Sequence, residues 1–482
     1  MKGYRTLALA AACLLSPAGG PCDTHYVSPE GSDEAPYLTP ETAATTIQAA
    51  VDAATAGDTV SVAPGDYEEH VVMSDGLALL GSGPDKSRIW GSIGAGVDAE
   101  IRRLAIRQEC PENDARFARV ALLGPRTGGL MVIDCFISGT FWAGIECRMQ
   151  GGVVLIQRCE LRGIRAGEAG AAIDLDGFGP ALAVVHQCAI ADNLRGVSTT
   201  SRVDLWVSRT SVTRSACCGL ELFGPAVVTA CSIDRNDEAV RVSAYPGSVS
   251  IQSSTLCQNA EYGVVCADLA LVQLTCCTIA HNGRAGVVAG HSADLVAQRS
   301  IIWGNGLEDV SLPGLGATFT ASDSCVGGYC EDSYCGPGNI DADPLFVDPD
   351  RGNYRLRAAS PCIDRWRMGA SDPRYAFDKD GKRRLAYGGG DGSAAVDMGA
   401  YEYYINELTA GPGPDEATLT WSSLADKTYS VFYTDDLLTW HLGVQNFPSA
   451  GYKTTSWVDD GSKTGIAPLL APKRFYRMLE NP

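Results

Sequence analysis

The sequence predicts an all-β chain wound as a parallel β-helix, with three short strands in each coil of about 23 residues. Three recurrences in the middle of the chain carry that expectation. A small residue followed two positions later by an aliphatic one repeats as Cys135/Ile137, Cys159/Leu161, Cys188/Ile190, Thr210/Val212, Cys231/Ile233, Ser254/Leu256, Cys277/Ile279 and Ser300/Ile302. The positions three and five before each anchor are almost all apolar, as in Val249 and Ile251 or Val272 and Leu274, and so alternate like a strand with one buried face. Five residues after the anchor asparagine returns at Asn193, Asn236, Asn259, Asn282 and Asn305, and nine after it glycine stands at Gly144, Gly219, Gly263 and Gly286.

One such coil cannot cover its own inner face, so coils stack and share a continuous core. Asparagine suits the bend because it tolerates left-handed backbone, and amides stacked coil on coil can hydrogen-bond to one another. The same register accounts for much of a cysteine content of 18. Cys135, Cys159, Cys188, Cys231 and Cys277 share the anchor position that Ser or Thr fills elsewhere, and Cys147 and Cys266 fall twelve after an anchor. A ladder of this kind reads as small inward packing residues, whereas a metal site asks for clustered ligands. Cys217, Cys218 and Cys276 belong to neither set.

The open end of a strand stack needs a cover. Thr39-Pro40-Glu41 reads as a helix start, with Ile47, Ala50, Val51 and Ala54 as its apolar stripe, and Thr59-Val60-Ser61-Val62 as the first strand after it. Ahead of it lie a basic start at Met1–Arg5, an apolar run at Leu7–Leu15 and small residues up to Gly20. That order is expected of a secretory signal cleaved near Ala18, with soluble export favoured over lipid modification at Cys13 or Cys22. The chain then divides into a signal (1–20), an N-terminal cap (21–76), the β-helix (77–320), a cysteine-containing closing segment (321–405), a Gly-Pro linker (406–415) and a small β-rich module (416–482).

At 482 residues the chain is too long for one compact core, and a hydrophobic content of 45% excludes a disordered one. A net charge of −19 argues against a protein that coats nucleic acid. No stretch after the signal is apolar for long enough to span a bilayer, so no transmembrane segment is expected, and the protein is read as a monomer.

Chemistry is expected on the strand that follows each asparagine bend. Its central outward residues run Glu146, Asp174, Ser198, Glu221, Arg241, Val265 and Val288 along consecutive coils. With coils about 4.8 Å apart, Glu146 and Asp174 would be neighbours and Asp174 and Glu221 about 9.6 Å apart, within the range that acid/base glycoside chemistry uses. Glu146, Asp174, Glu221 and Arg241 are therefore the candidate catalytic residues, with Asp176 and Arg202 close by and Gly163–Gly170 as a wall. The bland alternative is a solvated polar face in which Glu221 pairs with Arg241. His186, His281 and His291 are scattered and read as structural.

Near the C-terminus Cys325, Cys330, Cys335 and Cys362 fall off the ladder and are expected to be exposed, with disulfides Cys330–Cys335 and Cys325–Cys362 as one of the possible pairings. Asp378-Lys379-Asp380-Gly381 sets two acids before a glycine in the order of a calcium loop, but only half of such a loop is present. Trp421, Trp440 and Trp457 of the tail module serve either as core or as platforms for sugar rings.

The chain resembles bacterial secreted pectate-lyase-like right-handed β-helix proteins in Tyr26-Val27-Ser28-Pro29, Ile47–Ala54, Gly57-Asp58-Thr59-Val60 and Pro64-Gly65-Asp66-Tyr67. Asn339–Val347, Ser360-Pro361-Cys362-Ile363-Asp364 and Val396–Glu402 resemble the choice-of-anchor Q segment that closes such helices. The resemblance spans about residues 25–405 and implies an exported or surface protein acting on carbohydrate. It does not extend to the polygalacturonase signatures, of which only Gly290-His291-Ser292 comes near the Gly-His-Gly, and no lysine occurs between Lys86 and Lys379. A polysaccharide partner on the outer face, engaged by a lyase or hydrolase with calcium as its candidate cofactor, is the expected function. A non-catalytic surface or adhesion scaffold is the alternative.

Overall fold

A computed structural model of the chain describes residues 22–108, 120–139, 142–164, 170–243, 248–267, 269–328, 336–367, 377–384, 395–404, 406–410, 415–423, 427–450, 454–471 and 473–481. The expected export signal, Cys330, Cys335 and most of the Gly163–Gly170 loop lie outside them. The chain forms two compact units, Met1–Asp341 and Ala342–Pro482.

The first unit is the parallel β-helix that the register predicts. Its three sheets contain 13, 12 and 11 strands, and every coil visits them in the same order. In one coil the chain runs through Ser248–Gln252 in the first sheet, Thr255–Cys257 in the second and Tyr262–Cys266 in the third. Each strand pairs in parallel with its equivalents one coil before and after, as in Val249↔Val272 and Leu256↔Ile279. The alternating apolar residues all point inward: Val249, Ile251, Leu256 and Val264 are fully buried. The winding continues past its expected end at 320, because Ser324/Val326 repeats the anchor and Cys325 pairs with Ile301.

The corners explain the recurrent polar residues. Asn193, Asn236, Asn259 and Asn282 are buried, and each amide works along the stack. Asn259 Nδ2 donates to Asn282 Oδ1 at 2.8 Å, and Asn282 Nδ2 donates to Asn305 Oδ1 at 2.8 Å. The same two oxygens accept the backbone N–H groups of Asn259 and Asn282 from the preceding coil. The ladder ends on Asp309, whose Oδ1 accepts from both the backbone and the side chain of Asn305. Asparagine does not take the left-handed backbone expected of it. The residue before it does, at Asp192, Arg235, Gln258, His281 and Gly304, with φ between 56° and 69°. Asparagine is needed there for its amide, and the neighbour makes the bend.

The anchor ladder follows the same logic. Cys135, Cys159, Cys188, Cys231 and Cys277 are all buried, as are Cys147 and Cys266. The anchor thiols donate to main-chain carbonyls, for example Cys277 Sγ to Ile251 O at 3.2 Å. Where Ser or Thr takes the position, its hydroxyl accepts the anchor N–H of the coil before, as Ser254 Oγ does from Cys231 and Ser300 Oγ from Cys277. Cys217 and Cys218, outside the ladder, bring their sulfurs to 3.4 Å.

The N-terminal cover is a short helix, Ile47–Ala53, which buries Ile47, Ala50 and Val51. It starts seven residues later than Thr39-Pro40 suggested, because the first free amides meet acceptors only there. Thr46 Oγ1 accepts from Ala49 N, and the carboxylate of Glu69 accepts from Ile47 N at 2.8 Å and Gln48 N at 2.9 Å. A distant acid thus neutralises the positive helix end.

In the second unit, Asn406–Ala410 is a strand antiparallel to Ala417–Ser422 where a linker was expected, so the tail module begins at Asn406. Thr454–Asp459 completes that sheet, and Thr428–Thr434, His441–Pro448 and Phe475–Glu480 form another. Trp421, Tyr429, Val431 and Trp457 make the module's core, while Trp440 lies under the Arg477 guanidinium. Cys325 and Cys362, expected to be exposed, are each fully buried in their own units.

Candidate active site on the third sheet

The outward row of the third sheet has the register expected from sequence. Leu123, Glu146, Asp174, Ser198, Glu221, Arg241, Val265 and Val288 are successive pairing partners across seven coil boundaries. The strands that present the acids are Ala143–Met149, Ala171–Gly177 and Cys218–Leu222, each with its alternate residues sunk in the core. Strand pleating alone therefore holds the three carboxylates in line on one face.

Their electrostatic settings differ. Glu146 accepts from Arg148 Nε at 2.6 Å. Glu221 pairs with Arg195 at 3.0 Å, not with Arg241. Arg241 stands beside Glu221 in register, yet its guanidinium turns along its own strand to the buried Glu238. A donor three residues away on the same strand is already in reach of Glu238, which leaves Arg241 no reason to cross to the next coil.

Asp174 is the exception. Among the described residues its carboxyl takes part in no hydrogen bond or ion pair, and burial together with the nearby Asp176 and Glu146 carboxylates pushes its pKa up to about 6. Arg148 and Arg195 oppose that rise without cancelling it. Asp176 lies two residues along the strand, opposite Arg148. Arg202 takes no part, since its Nη1 donates to the Phe178 carbonyl at 2.8 Å.

The row is bordered by aromatic side chains. Trp142 (47% exposed) directly precedes the Glu146 strand, Phe178 (61%) directly follows the Asp174 strand, and Phe223 (39%) directly follows the Glu221 strand. Large exposed apolar groups at both ends of the strands bracket the carboxylates. Sequence reading overlooked these rings, although each breaks the inward alternation at the edge of a strand bearing a candidate acid. It also overlooked Arg195.

The remaining candidates separate. Asp378 accepts from the backbone amides of Lys382 and Glu402, while Asp380 is held by Arg355 at 2.6 Å. The two acids thus face different partners, and no group of three metal-ligating side chains occurs among the described residues. His186 Nδ1 meets Ser208 Oγ at 2.7 Å on the first sheet, away from the carboxylate row.

Residues 143–312 match the family described as "Right handed beta helix region". No curated protein matches the sequence. Among solved structures, pectate lyase Pel9A is 13% identical with a TM-score of 0.47, over 81% of this chain and 99% of that one. The A-module of the Azotobacter vinelandii mannuronan C-5 epimerase AlgE4 is 14% identical with a TM-score of 0.39, over 61% of this chain and 94% of that one. The catalytic unit of the GH87 alpha-1,3-glucanase from Streptomyces thermodiastaticus strain HF3-3 is 15% identical with a TM-score of 0.41, over 68% and 70%. None of these likenesses assigns a reaction to this chain.

Proposed function

We propose that the protein is an exported polysaccharide hydrolase that binds a glycan along the outer face of the third sheet and cleaves it with Asp174 as general acid. The observation that supports this reading most is Asp174 itself, a carboxyl with no ion pair among the described residues and a pKa pushed up to about 6, set in line with two carboxylates that each pair with an arginine. A general acid must carry its proton at working pH, and a partner acid must not. Burial and like charge push the Asp174 pKa up to about 6, while Glu221 pairs with the adjacent Arg195 guanidinium.

Glu221 lies two coils from Asp174 with the small Ser198 between them. Two strand spacings are about 9.6 Å, close to the separation at which one acid protonates the glycosidic oxygen while the other activates a water from the opposite side. That arrangement yields an inverted product. Glu146 is one spacing away and serves to raise the Asp174 pKa. Trp142, Phe178 and Phe223 offer flat apolar surfaces for sugar rings.

Hydrolysis is favoured over elimination by the cations. A lyase acting on a uronate needs positive charge to spare for the substrate carboxylate, but Arg148 and Arg195 are both engaged by acids. The face is acidic and suits neutral or amino-bearing glycans. A panel of neutral glucans, xylan, chitosan and polygalacturonate, assayed for reducing ends and for unsaturated ends, tests the reading. New reducing ends without unsaturated ends are expected. Binding without cleavage identifies a scaffold instead, and unsaturated products overturn the hydrolase.

A further inference from the structure

A second feature lies at the corner between the first and second sheets, on the N-terminal coils. In three successive coils this corner is two residues long, joining Ala99–Arg102 to Ala105–Gln108, Gly129–Ile133 to Phe136–Gly139, and Val153–Gln157 to Glu160–Arg162. One coil earlier the corner between Ala78–Gly81 and Ser87–Trp90 spans 82–86. The longer loop stands out from the stack and walls one end of an open depression of about 640 Å³ over the shorter corners. That volume falls within the roughly 300–1,000 Å³ of ordinary small-ligand sites.

The depression gathers positive charge. Lys86, on its wall, is the only lysine between Lys2 and Lys379. The Arg107 guanidinium lies over the Phe136 ring at 4.8 Å, and its buried Nε has no hydrogen-bond acceptor. Arg103 spends one nitrogen on the Ser82 carbonyl at 3.1 Å, which fixes the loop. The acids nearby are mostly answered: Asp134 takes Arg158 in two hydrogen bonds of 2.6 and 2.8 Å, and Glu160 takes Arg162 at 3.1 Å. Asp85 lines the depression beside Lys86, while the acids that act on Arg107 and Arg103, Asp66 and Asp134, are each held in two hydrogen bonds by another arginine, Arg88 and Arg158.

We propose that this depression is a binding site for an oxyanion carried on a saccharide, a sulfate ester or a sugar carboxylate, with Arg107 and Lys86 as its charge partners. A guanidinium whose one face rests on an aromatic ring presents its N–H edge in a fixed plane, the geometry that a planar or tetrahedral oxyanion matches. The chain carries a net charge of −19, and the carboxylates of the third sheet oppose a polyanion there, whereas this depression offers it Lys86, Arg103 and Arg107. The site is independent of the carboxylate row and holds whether or not the protein is a hydrolase.

Calorimetric titration of the full chain with chondroitin sulfate, polygalacturonate and inorganic sulfate tests it. At least one polymer is expected to bind, with inorganic sulfate competing. Lys86→Gln and Arg107→Gln should each weaken binding by about ten-fold, the loss of one charge-assisted contact, and Asp174→Asn should leave it unchanged. Binding of chondroitin sulfate alone identifies a sulfate ester as the ligand group, and binding of polygalacturonate identifies a carboxylate. The proposal is overturned if neither polymer binds, if both Lys86→Gln and Arg107→Gln bind as the wild type, or if Asp174→Asn abolishes binding. Lys86 is exposed, so its variant decides the matter should Arg107→Gln fail to fold.

Discussion

Asp174 pairs directly with Glu146 across one coil boundary, and of the two only Glu146 has a cation bound to it, Arg148 at 2.6 Å. A carboxyl beside an already ionised neighbour holds its proton to higher pH. Removing the neighbour's charge with Glu146→Gln should lower the pH at which Asp174 titrates, and Arg148→Gln should raise it. The acidic-group limb of the pH–rate profile should follow in the same directions.

Stability carries the same signature with a definite sign. The folded-state pKa of Asp174, about 6, lies above its ordinary value of 3.8. The folded protein therefore favours the protonated form, and the group's contribution is present below about pH 4 and lost as pH rises through 6. Melting temperatures of the wild type and Asp174→Asn, compared from pH 4 to 7, should diverge over that window in favour of Asn at the upper end. Curves that remain parallel would remove the basis for the raised pKa.

The aromatic border should matter for binding and not for folding. Trp142 and Phe178 are exposed, so Trp142→Ala and Phe178→Ala should melt near the wild type. Each should weaken binding of a neutral oligosaccharide by up to about ten-fold, the worth of one stacked ring. Affinity electrophoresis in gels cast with the polysaccharide measures this directly.

The asparagine ladder should be among the most sensitive features of the fold. Asn259 accepts from Asn236 through both backbone and side chain, and donates to Ile233 O and Asn282 Oδ1. Asn259→Ala leaves several buried groups without partners and should cost about 3 kcal/mol or more. Denaturant titration of the variant gives the value.

The cysteine ladder should tolerate exchange. Cys231→Ser places a hydroxyl where Ser254 and Ser300 already stand one and three coils on, and should change stability by about 1 kcal/mol or less. Cys231→Leu, forced into a site that accepts only small residues, should cost about 1–3 kcal/mol. If instead the serine variant unfolds, the thiol does more than pack.

The helix was legible because stacking imposes a repeat, and a repeat is visible wherever inward positions recur. Anchors, asparagines and the carboxylate row all follow from it. Features set by single contacts were not legible. The true helix start at Thr46 depends on Glu69, more than twenty residues away. The choice of Arg195 over Arg241 as the partner of Glu221 depends on Glu238 holding the latter. Left-handed backbone falls at Asp192, Arg235, Gln258 and His281, which share no residue type, so composition gives no sign of it. The aromatic rim breaks a pattern instead of repeating one, and each ring belongs to a different coil.

The central claim is that Asp174 donates a proton to a glycosidic oxygen while Glu221 activates water across Ser198. Its most direct test is the product released from a cleaved neutral oligosaccharide by the wild type, Asp174→Asn and Glu221→Gln, with the anomeric configuration read by NMR during the first turnovers. The account predicts an inverted anomer from the wild type, and a rate loss of about 100-fold or more in each variant. A retained anomer, or undiminished cleavage by folded Asp174→Asn, would contradict it.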